Sequence, residues 1–301
     1  KDERYILQPK ITVNTQNNDF VFIDYNKNVD ISTLSDEEQS LELQYRNKKV
    51  YGTGLGVAVD WKIDETGKGE LYTEFFPKSE IPAMDFTVSK KYSFDERVFS
   101  MKYLSDLDNT DKSEKIELLT LFIDTYSKWI SELDNMSNSL ESKYLYISKK
   151  NIAGCAESCK RMYKGIELLK KDSKIWNSFA LANRAMFMQR VHLKIQQSDN
   201  DIYPGDEKLS TILDTIDYNT AEKLFEDKYS WRPFQLAFLL MSVESVTDDK
   251  SPERELTDLI WFPTGGGKTE AYLGLTAMTI FYRRLAYPNN SDGTTVIMRY
   301  T

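Results

Sequence analysis

The sequence has little from which to build a metal centre or a disulfide framework, because its 301 residues include one histidine and two cysteines. Cys155 and Cys159 lie one helical turn apart, but a metal site would need further ligands, and His192 belongs to another segment. We therefore expect reduced, packed thiols and, as the default location, the cytoplasm.

Long apolar runs are also missing, and none approaches the roughly 20 residues that a bilayer-spanning helix needs. The first residues, from Lys1 to Arg4, do not resemble a signal peptide. These two observations predict a protein without a membrane segment. Because the sequence starts without methionine and stops inside an apparent strand, we expect it to be a piece of a longer protein.

The sequence has fewer basic than acidic residues: 39 Lys and Arg compared with 47 Asp and Glu, which gives a formal net charge of −8. This balance argues against a broad basic face for nucleic acid, although a local groove could still be positive. The hydrophobic content of 41% and the charged content of 29% are typical of a globular protein. The length is sufficient for two domains.

The first region, residues 1–110, is predicted to be a β-rich N-terminal domain. Alternating or continuous apolar patterns mark several short strands. The predicted strands are residues 20–23, 41–45, 57–63 and 71–76. A hairpin turn is expected at residues 65–69. The stretch from Thr33 to Glu38 carries a helix-capping signature, which we interpret as a short acidic surface turn.

The second region, residues 111–205, changes to helical periodicity. Asp111 and Glu114 form a capping-box pair at the predicted start of its first helix. Apolar side chains at helical spacing give that helix one buried face. They are Ile116, Leu119, Ile123, Tyr126, Ile130 and Leu133. Two further helices are predicted, of which the last is capped by Ser173 and ends near residue 197.

The third region, residues 206–301, contains a predicted phosphate-binding loop. An apolar strand at residues 259–262 is followed by Gly265, Gly266 and Gly267 and then by a long apolar helix. Glycines let backbone N–H groups turn around an anion, because no Cβ blocks the approach. The N-terminus of the helix adds a partial positive charge.

The residues around these glycines supply the chemistry of the predicted site. Lys268 is expected to reach the β- and γ-phosphates of a nucleoside triphosphate, and the Thr269 hydroxyl to ligate Mg²⁺. Thr264 and Glu270 complete the set of candidate nucleotide-binding residues. The full pattern requires glycine where Phe262 stands, which argues against the GTPase and small-kinase versions of the loop. The alternative is a glycine-rich turn with a surface lysine.

A second motif, Arg-Pro-x-Gln, lies upstream of the glycines. The amide of Gln235 offers the acceptor and donors that match the N6/N7 edge of adenine, and the guanidinium of Arg232 could stack on the base. The alternative is a solvated glutamine at a helix start, where proline is common. Both residues are candidates for the adenine side of the site.

A further strand is predicted at residues 294–298, parallel to the strand at 259–262 through a βαβ crossover. Arg299, Tyr300 and Thr301 follow at its carboxyl end, where ligands bind in open α/β sheets.

These motifs carry a resemblance to known proteins. Arg-Pro-x-Gln, then Pro-Thr-Gly-Gly-Gly-Lys-Thr-Glu, then a strand ending in Arg-Tyr-Thr resembles the opening third of a superfamily 2 helicase core. More narrowly, residues 261–272, together with Ala-Asn-Arg-Ala-Met at residues 182–186, are similar to the large helicase subunits of the DISARM anti-phage defence system. The implied fold is mixed α/β and α+β, with residues 206–301 as the first part of a RecA-like domain with a parallel sheet.

The resemblance implies an ATP-dependent DNA helicase or translocase of the bacterial cytoplasm, with Mg²⁺ and a second protein subunit as partners. It also implies that Arg232 and Gln235 serve the adenine and that residues 299–301 approach the nucleic-acid backbone. Arg-Tyr-Thr departs from the commoner order Pro-Thr-Arg at that position.

One part of a helicase core is missing from this sequence, since no Asp-Glu-x-His or Asp-Glu-x-Asp follows Lys268. That carboxylate pair normally holds Mg²⁺ and orients the attacking water, so we expect the chain alone to have negligible ATPase activity. Two alternatives remain open. One is a P-loop phosphotransferase, or kinase; the other is a docking or autoinhibitory module in which residues 1–205 bind a partner.

Overall fold

The computed structural model describes residues 9–15, 20–25, 30–78, 85, 87–93, 95–107, 111–198, 211, 214–218, 220, 229–261 and 265–299. The chain divides into two compact units. One comprises Lys1–Ala83 with Asp134–Ile152, and the other comprises Met84–Leu133 with Ala153–Thr301. The assignment of residues 1–110, 111–205 and 206–301 to separate domains stays a prediction.

The first unit contains a three-stranded antiparallel sheet. Its strands are β1 (Thr12–Asn14), β2 (Ala58–Ile63) and β3 (Gly69–Glu74), in the order β1-β3-β2. The predicted hairpin between the last two is confirmed. The Asp64 carboxylate accepts hydrogen bonds from the backbone N–H of Thr66 and Lys68 at 2.8 and 3.0 Å and so closes the turn.

Helix α1 (Asp36–Tyr45) stands where the sequence pattern predicted a strand at residues 41–45, so that prediction is wrong. Ser35 and Glu38 form a capping box, in which the Glu38 carboxylate accepts from the Ser35 N–H at 2.8 Å. Five alternating residues are too few to outweigh this start signal, because each residue added beyond the capped first turn brings one more helical hydrogen bond. Residues 20–23 form no strand, so the prediction of a strand there is also wrong.

Helices build the second unit. In chain order they are α2 (Met101–Leu104), α3 (Lys112–Ser137), α4 (Leu145–Lys171), α5 (Ser173–Ser198), α6 (Pro233–Thr247) and α7 (Lys268–Ala286), and α3 and α4 contribute residues to both units. The predicted helical periodicity of α3 is confirmed, since Ile116, Leu119, Ile123 and Ile130 are buried. The helices α5, α6 and α7 pack together, with α7 against both others.

Helix α5 begins differently from the prediction, because Asp172 caps it instead of Ser173. The Asp172 carboxylate accepts from the backbone N–H of Lys174 and Ile175 at 2.7 and 3.2 Å. On α4, Cys159 is buried and Cys155 is half-buried, and both are free thiols. Burial raises the pKa of the Cys159 thiol. Among the residues with described positions, no cluster of three potential metal ligands occurs.

The predicted parallel sheet is not present in the described part of the chain. Residues 256–261 and 294–299 are irregular, and Leu259, Trp261 and Ile297 are 78%, 85% and 87% exposed. A β-strand is stable only beside a hydrogen-bonded neighbour, and the described ranges show no strand paired with either segment. The fold is therefore mixed, with helices and a small antiparallel sheet. No helix within the described ranges is long and apolar enough to cross a membrane.

Candidate nucleotide-binding loop

Gly265, Gly266 and Gly267, called the glycine loop below, lead directly into the N-terminus of α7. Gly265 and Gly267 have φ angles of 80° and 83°, in the left-handed region that glycine adopts without steric cost. Gly267 is the N-cap residue of α7, which is 19 residues long. The positive end of the helix dipole therefore lies at the loop.

Two side chains hold the carbonyl groups of the glycine loop. The Nη1 of Arg232 donates to the carbonyl oxygen of Gly266 at 2.6 Å, and the Nε2 of Gln235 donates to that of Gly267 at 2.7 Å. In a trans peptide the C=O and the following N–H point in opposite directions. The N–H groups of Gly267 and Lys268 therefore point away from Arg232 and Gln235, which leaves an N–H-lined side on the opposite face of the loop.

Gln235 ties the start of α6 to the glycine loop. Its Oε1 accepts a hydrogen bond from the backbone N–H of Arg232 at 2.7 Å, and its side chain is buried. Pro233 occupies the first turn of α6, where a missing N–H costs nothing. One donor and one acceptor of the amide are thus used within the protein. The assignment of Gln235 and Arg232 to adenine stays a prediction.

The two left-handed glycines differ in the space around them. A Cβ added at Gly267 would lie 2.7 Å from Nε2 of Gln235 and 3.4 Å from Nη1 of Arg232, whereas a Cβ at Gly265 would meet nothing within 4 Å. Gly267 is therefore required both for its backbone conformation and for the close approach of Gln235. Gly265 is required for its conformation alone.

The residues that follow the loop carry the charged and hydroxyl groups. Lys268 and Glu270 are half-buried at the first turn of α7, and Thr269 is exposed. Arg190 of α5 lies 3.7 Å from the Glu270 carboxylate. An ammonium group, a solvent-facing hydroxyl and the loop N–H groups are donors that fit a phosphate with its Mg²⁺, which usually takes one or two protein ligands. Thr264 lies outside the described residues.

Sequence reasoning missed a buried network next to Arg232. The indole N–H of Trp231 donates to Oδ1 of Asn183 at 2.7 Å, and Nδ2 of Asn183 donates to the carbonyl of Phe179 at 2.8 Å. Trp231 is 2% exposed and Asn183 is fully buried. A Cβ added at Gly274 of α7 would lie 2.7 Å from Cη2 of Trp231. An asparagine among the apolar positions of α5 was the signal that could have revealed this contact.

The predicted nucleic-acid residues are only partly described. Arg299 is exposed, and Tyr300 and Thr301 lie outside the described residues. The sulfur of Met298 lies 3.8 Å from Oγ1 of Thr276, which is roughly two helical turns along α7 from the glycine loop. Their assignment to nucleic acid stays a prediction.

An apolar cavity of about 620 Å³ lies in the same unit, beside the segment that leads to the glycine loop. Its rings include Tyr92, Phe122, Tyr126, Trp129, Phe234 and Trp261. Its described lining contains no lysine, arginine or histidine, and its single carboxylate, Asp258, is paired with Arg161. The described lining therefore offers no cationic side chain to a phosphate, whereas Lys268 stands directly after the glycine loop.

Comparison with known proteins relates the chain to a protein of an anti-phage defence system. No protein-family model matches the chain. The chain is 33% identical over 279 residues to the DISARM protein DrmA of Bacillus paralicheniformis. The match covers 88% of this chain but 23% of DrmA, so the chain spans about a quarter of the length of that relative. Over most of its own length, this chain is thus related in sequence to the DISARM protein DrmA.

Proposed function

We propose that this chain supplies the first part of the ATP-binding domain of a superfamily 2 DNA helicase or translocase that serves anti-phage defence in the bacterial cytoplasm. The observation that carries the proposal is the glycine loop, whose carbonyls are held on one side by Arg232 and Gln235 while two N–H groups point the other way. The similarity to DrmA, a DISARM protein, supports the link to defence.

Each residue of the site has a defined task under this proposal. The N–H groups of Gly267 and Lys268 and the Lys268 ammonium bind phosphate oxygens, and the Thr269 hydroxyl ligates Mg²⁺. ATP supplies the phosphoanhydride bond whose cleavage drives movement along DNA. Arg232 and Gln235 keep the loop in its anion-binding form by fixing two of its peptide planes. The proposed partners are DNA and a second protein subunit of the same system.

A titration with fluorescently labelled ATP and ADP tests the binding step. We expect Lys268→Ala to weaken binding roughly 10- to 100-fold, because charge-assisted hydrogen bonds contribute about 1.5–3 kcal/mol. Lys250→Ala is the matched control, since Lys250 is an exposed lysine beyond the end of α6 and should leave affinity unchanged. Equal binding by the wild type and Lys268→Ala would refute the proposal.

The metal step has its own test, because Thr269 should act only when Mg²⁺ is present. We expect Thr269→Ala to weaken ATP binding in Mg²⁺ buffer but to have little effect in EDTA, and Thr269→Ser to restore the Mg²⁺ response through its retained hydroxyl. A loss of the same size in both buffers would instead indicate damage to the loop.

The competing functions predict different reactions. Stimulation of ATPase activity by DNA in the complete protein favours a helicase, whereas transfer of labelled phosphate to a small acceptor favours a kinase. The chain alone should show negligible turnover, since no acidic motif of the Asp-Glu-x-His type follows Lys268 in it. Capture of a partner by residues 1–205 alone would favour a docking module.

A further inference from the structure

Helix α5 makes contacts next to the glycine loop at two places, with Trp231, which precedes Arg232, and with Glu270 in the first turn of α7. At the first, Oδ1 of Asn183 accepts from the indole N–H of Trp231 at 2.7 Å. Asn183 is fully buried, and its own Nδ2 donates to the carbonyl of Phe179, so its orientation is fixed from both ends. The ring of Trp231 is thereby held in one position.

The position of Trp231 affects the glycine loop through Arg232 and through α7. Trp231 is covalently joined to Arg232, whose guanidinium holds the Gly266 carbonyl. The Trp231 ring also packs against Gly274 of α7, where an added Cβ would lie 2.7 Å from Cη2. This contact sets the distance between Trp231 and α7. The backbone of Trp231 is fixed as well, because its N–H donates to the carbonyl of Phe99 at 2.8 Å.

At the second place, α5 approaches the first turn of α7 directly. The guanidinium of Arg190 lies 3.7 Å from the carboxylate of Glu270, with both side chains about one-third exposed. Glu270 follows Lys268 and Thr269, so this pair acts at the turn that carries the proposed phosphate and Mg²⁺ ligands. Partial exposure makes it a weaker constraint than the buried pair of Asn183 and Trp231.

We infer that Asn183 and Arg190 are positioning residues for the nucleotide site, with Asn183 acting through Trp231 and Arg190 through Glu270. The inference rests on the proposed function, because it assigns α5 a role in holding the proposed ATP-binding loop ready for phosphate. Neither residue needs to touch the nucleotide. Their removal should loosen the loop and weaken nucleotide binding while the helices stay folded.

The first experiment measures affinity for labelled ADP in the variants Trp231→Phe and Asn183→Leu and in the double variant. Each single change leaves a buried polar group without its partner, so each should weaken binding roughly 5- to 10-fold. The double variant removes both polar groups and should bind no worse than either single variant, since the two residues act as one unit.

Trp176→Phe is the matched control for the aromatic change. Trp176 is buried on α5, and its indole N–H has no hydrogen-bond partner among the described residues. The control should alter the melting temperature without altering ADP affinity. A merely structural role for Trp231 would give the same pattern in both variants and would overturn the inference.

A second readout does not depend on nucleotide. Hydrogen exchange of the amides at residues 265–269 should become faster in Trp231→Phe and in Arg190→Gln, while the exchange of α6 stays unchanged. Arg184→Gln is the control for the arginine, because Arg184 is exposed on the same helix. Unchanged exchange of the loop in both test variants would overturn the inference.

The two proposals can fail separately. If the wild type binds no ATP or ADP, the proposed function fails, and the exchange experiment still shows whether α5 orders the loop. If the wild type binds nucleotide and Lys268→Ala does not, but Trp231→Phe and Asn183→Leu bind normally, the proposed function stands and the positioning role is refuted.

Discussion

Arg161 on α4 pairs with both carboxylate oxygens of Asp258, at 2.7 Å from Nη1 and 2.9 Å from Nη2. Its Nε also lies 2.6 Å from the Glu253 carboxylate, as an ion pair without hydrogen-bond alignment. The Arg161 side chain is 9% exposed. This arrangement anchors the segment that contains Glu253 and Asp258, ahead of the glycine loop, to α4.

Removal of that anchor should destabilise the protein. We expect Arg161→Met to lower the free energy of unfolding by about 2–4 kcal/mol, somewhat less than for a fully buried pair, because Asp258 and Glu253 keep some contact with water. Lys160→Met is the matched control, since Lys160 is the exposed neighbour of Arg161. Denaturant unfolding measures both, and equal losses in the two variants would contradict the assignment of Arg161 as an anchor.

The two left-handed glycines of the loop give a matched comparison. Gly265→Ala should cost about 1–2 kcal/mol of stability, because only the positive φ is strained. Gly267→Ala should cost more and should also weaken nucleotide binding, since its Cβ would displace the Gln235 amide from the Gly267 carbonyl. Urea unfolding and the ADP titration give the two readouts. The reverse order of stabilities would show that the space around Gly267 does not matter.

Alanine substitutions at two glycines of α4 should change the stability of the protein in opposite directions. A Cβ at Gly154 meets nothing within 4 Å, so Gly154→Ala should stabilise the helix by about 0.5–1 kcal/mol. A Cβ at Gly165 would lie 2.1 Å from the carbonyl oxygen of Leu240, so Gly165→Ala should force α4 and α6 apart and destabilise the protein. Thermal melting distinguishes the two, and stabilisation by Gly165→Ala would contradict the close packing of these helices.

Acidification should destabilise the protein through His192. Burial lowers the pKa of His192, whose Nε2 shares a hydrogen bond of 2.7 Å with the hydroxyl of Tyr218. The unfolded chain then binds a proton more readily than the folded protein, so stability is highest above the unfolded pKa of about 6.5 and falls as the pH drops below it.

His192→Gln isolates this effect, because the sequence contains a single histidine. Melting temperatures at pH 7.5, 6.5 and 5.5 should decline less steeply in the variant than in the wild type. Parallel declines would mean that carboxylates, and not His192, dominate this pH range.

Local sequence patterns predicted the secondary structure correctly where a few neighbouring residues determine the conformation. The hairpin turn at Asp64 and the apolar face of α3 follow from hydrogen bonding and spacing within one element. The prediction of a strand at residues 41–45 is wrong because the capping box of Ser35 and Glu38 starts a helix that continues through them. The strands at 259–262 and 294–298 could not be judged locally, since a strand depends on a partner from elsewhere.

The sequence by itself determined that three glycines, Lys268 and Thr269 stand at the start of a long helix, because left-handed turns and helix starts are decided by adjacent residues. Only the tertiary structure decided what holds them. Arg232, just before α6, and Gln235, in its first turn, donate hydrogen bonds to the loop, and Asn183 of α5 holds Trp231, the neighbour of Arg232. Such contacts join residues far apart in the chain, and packing rather than local propensity selects them.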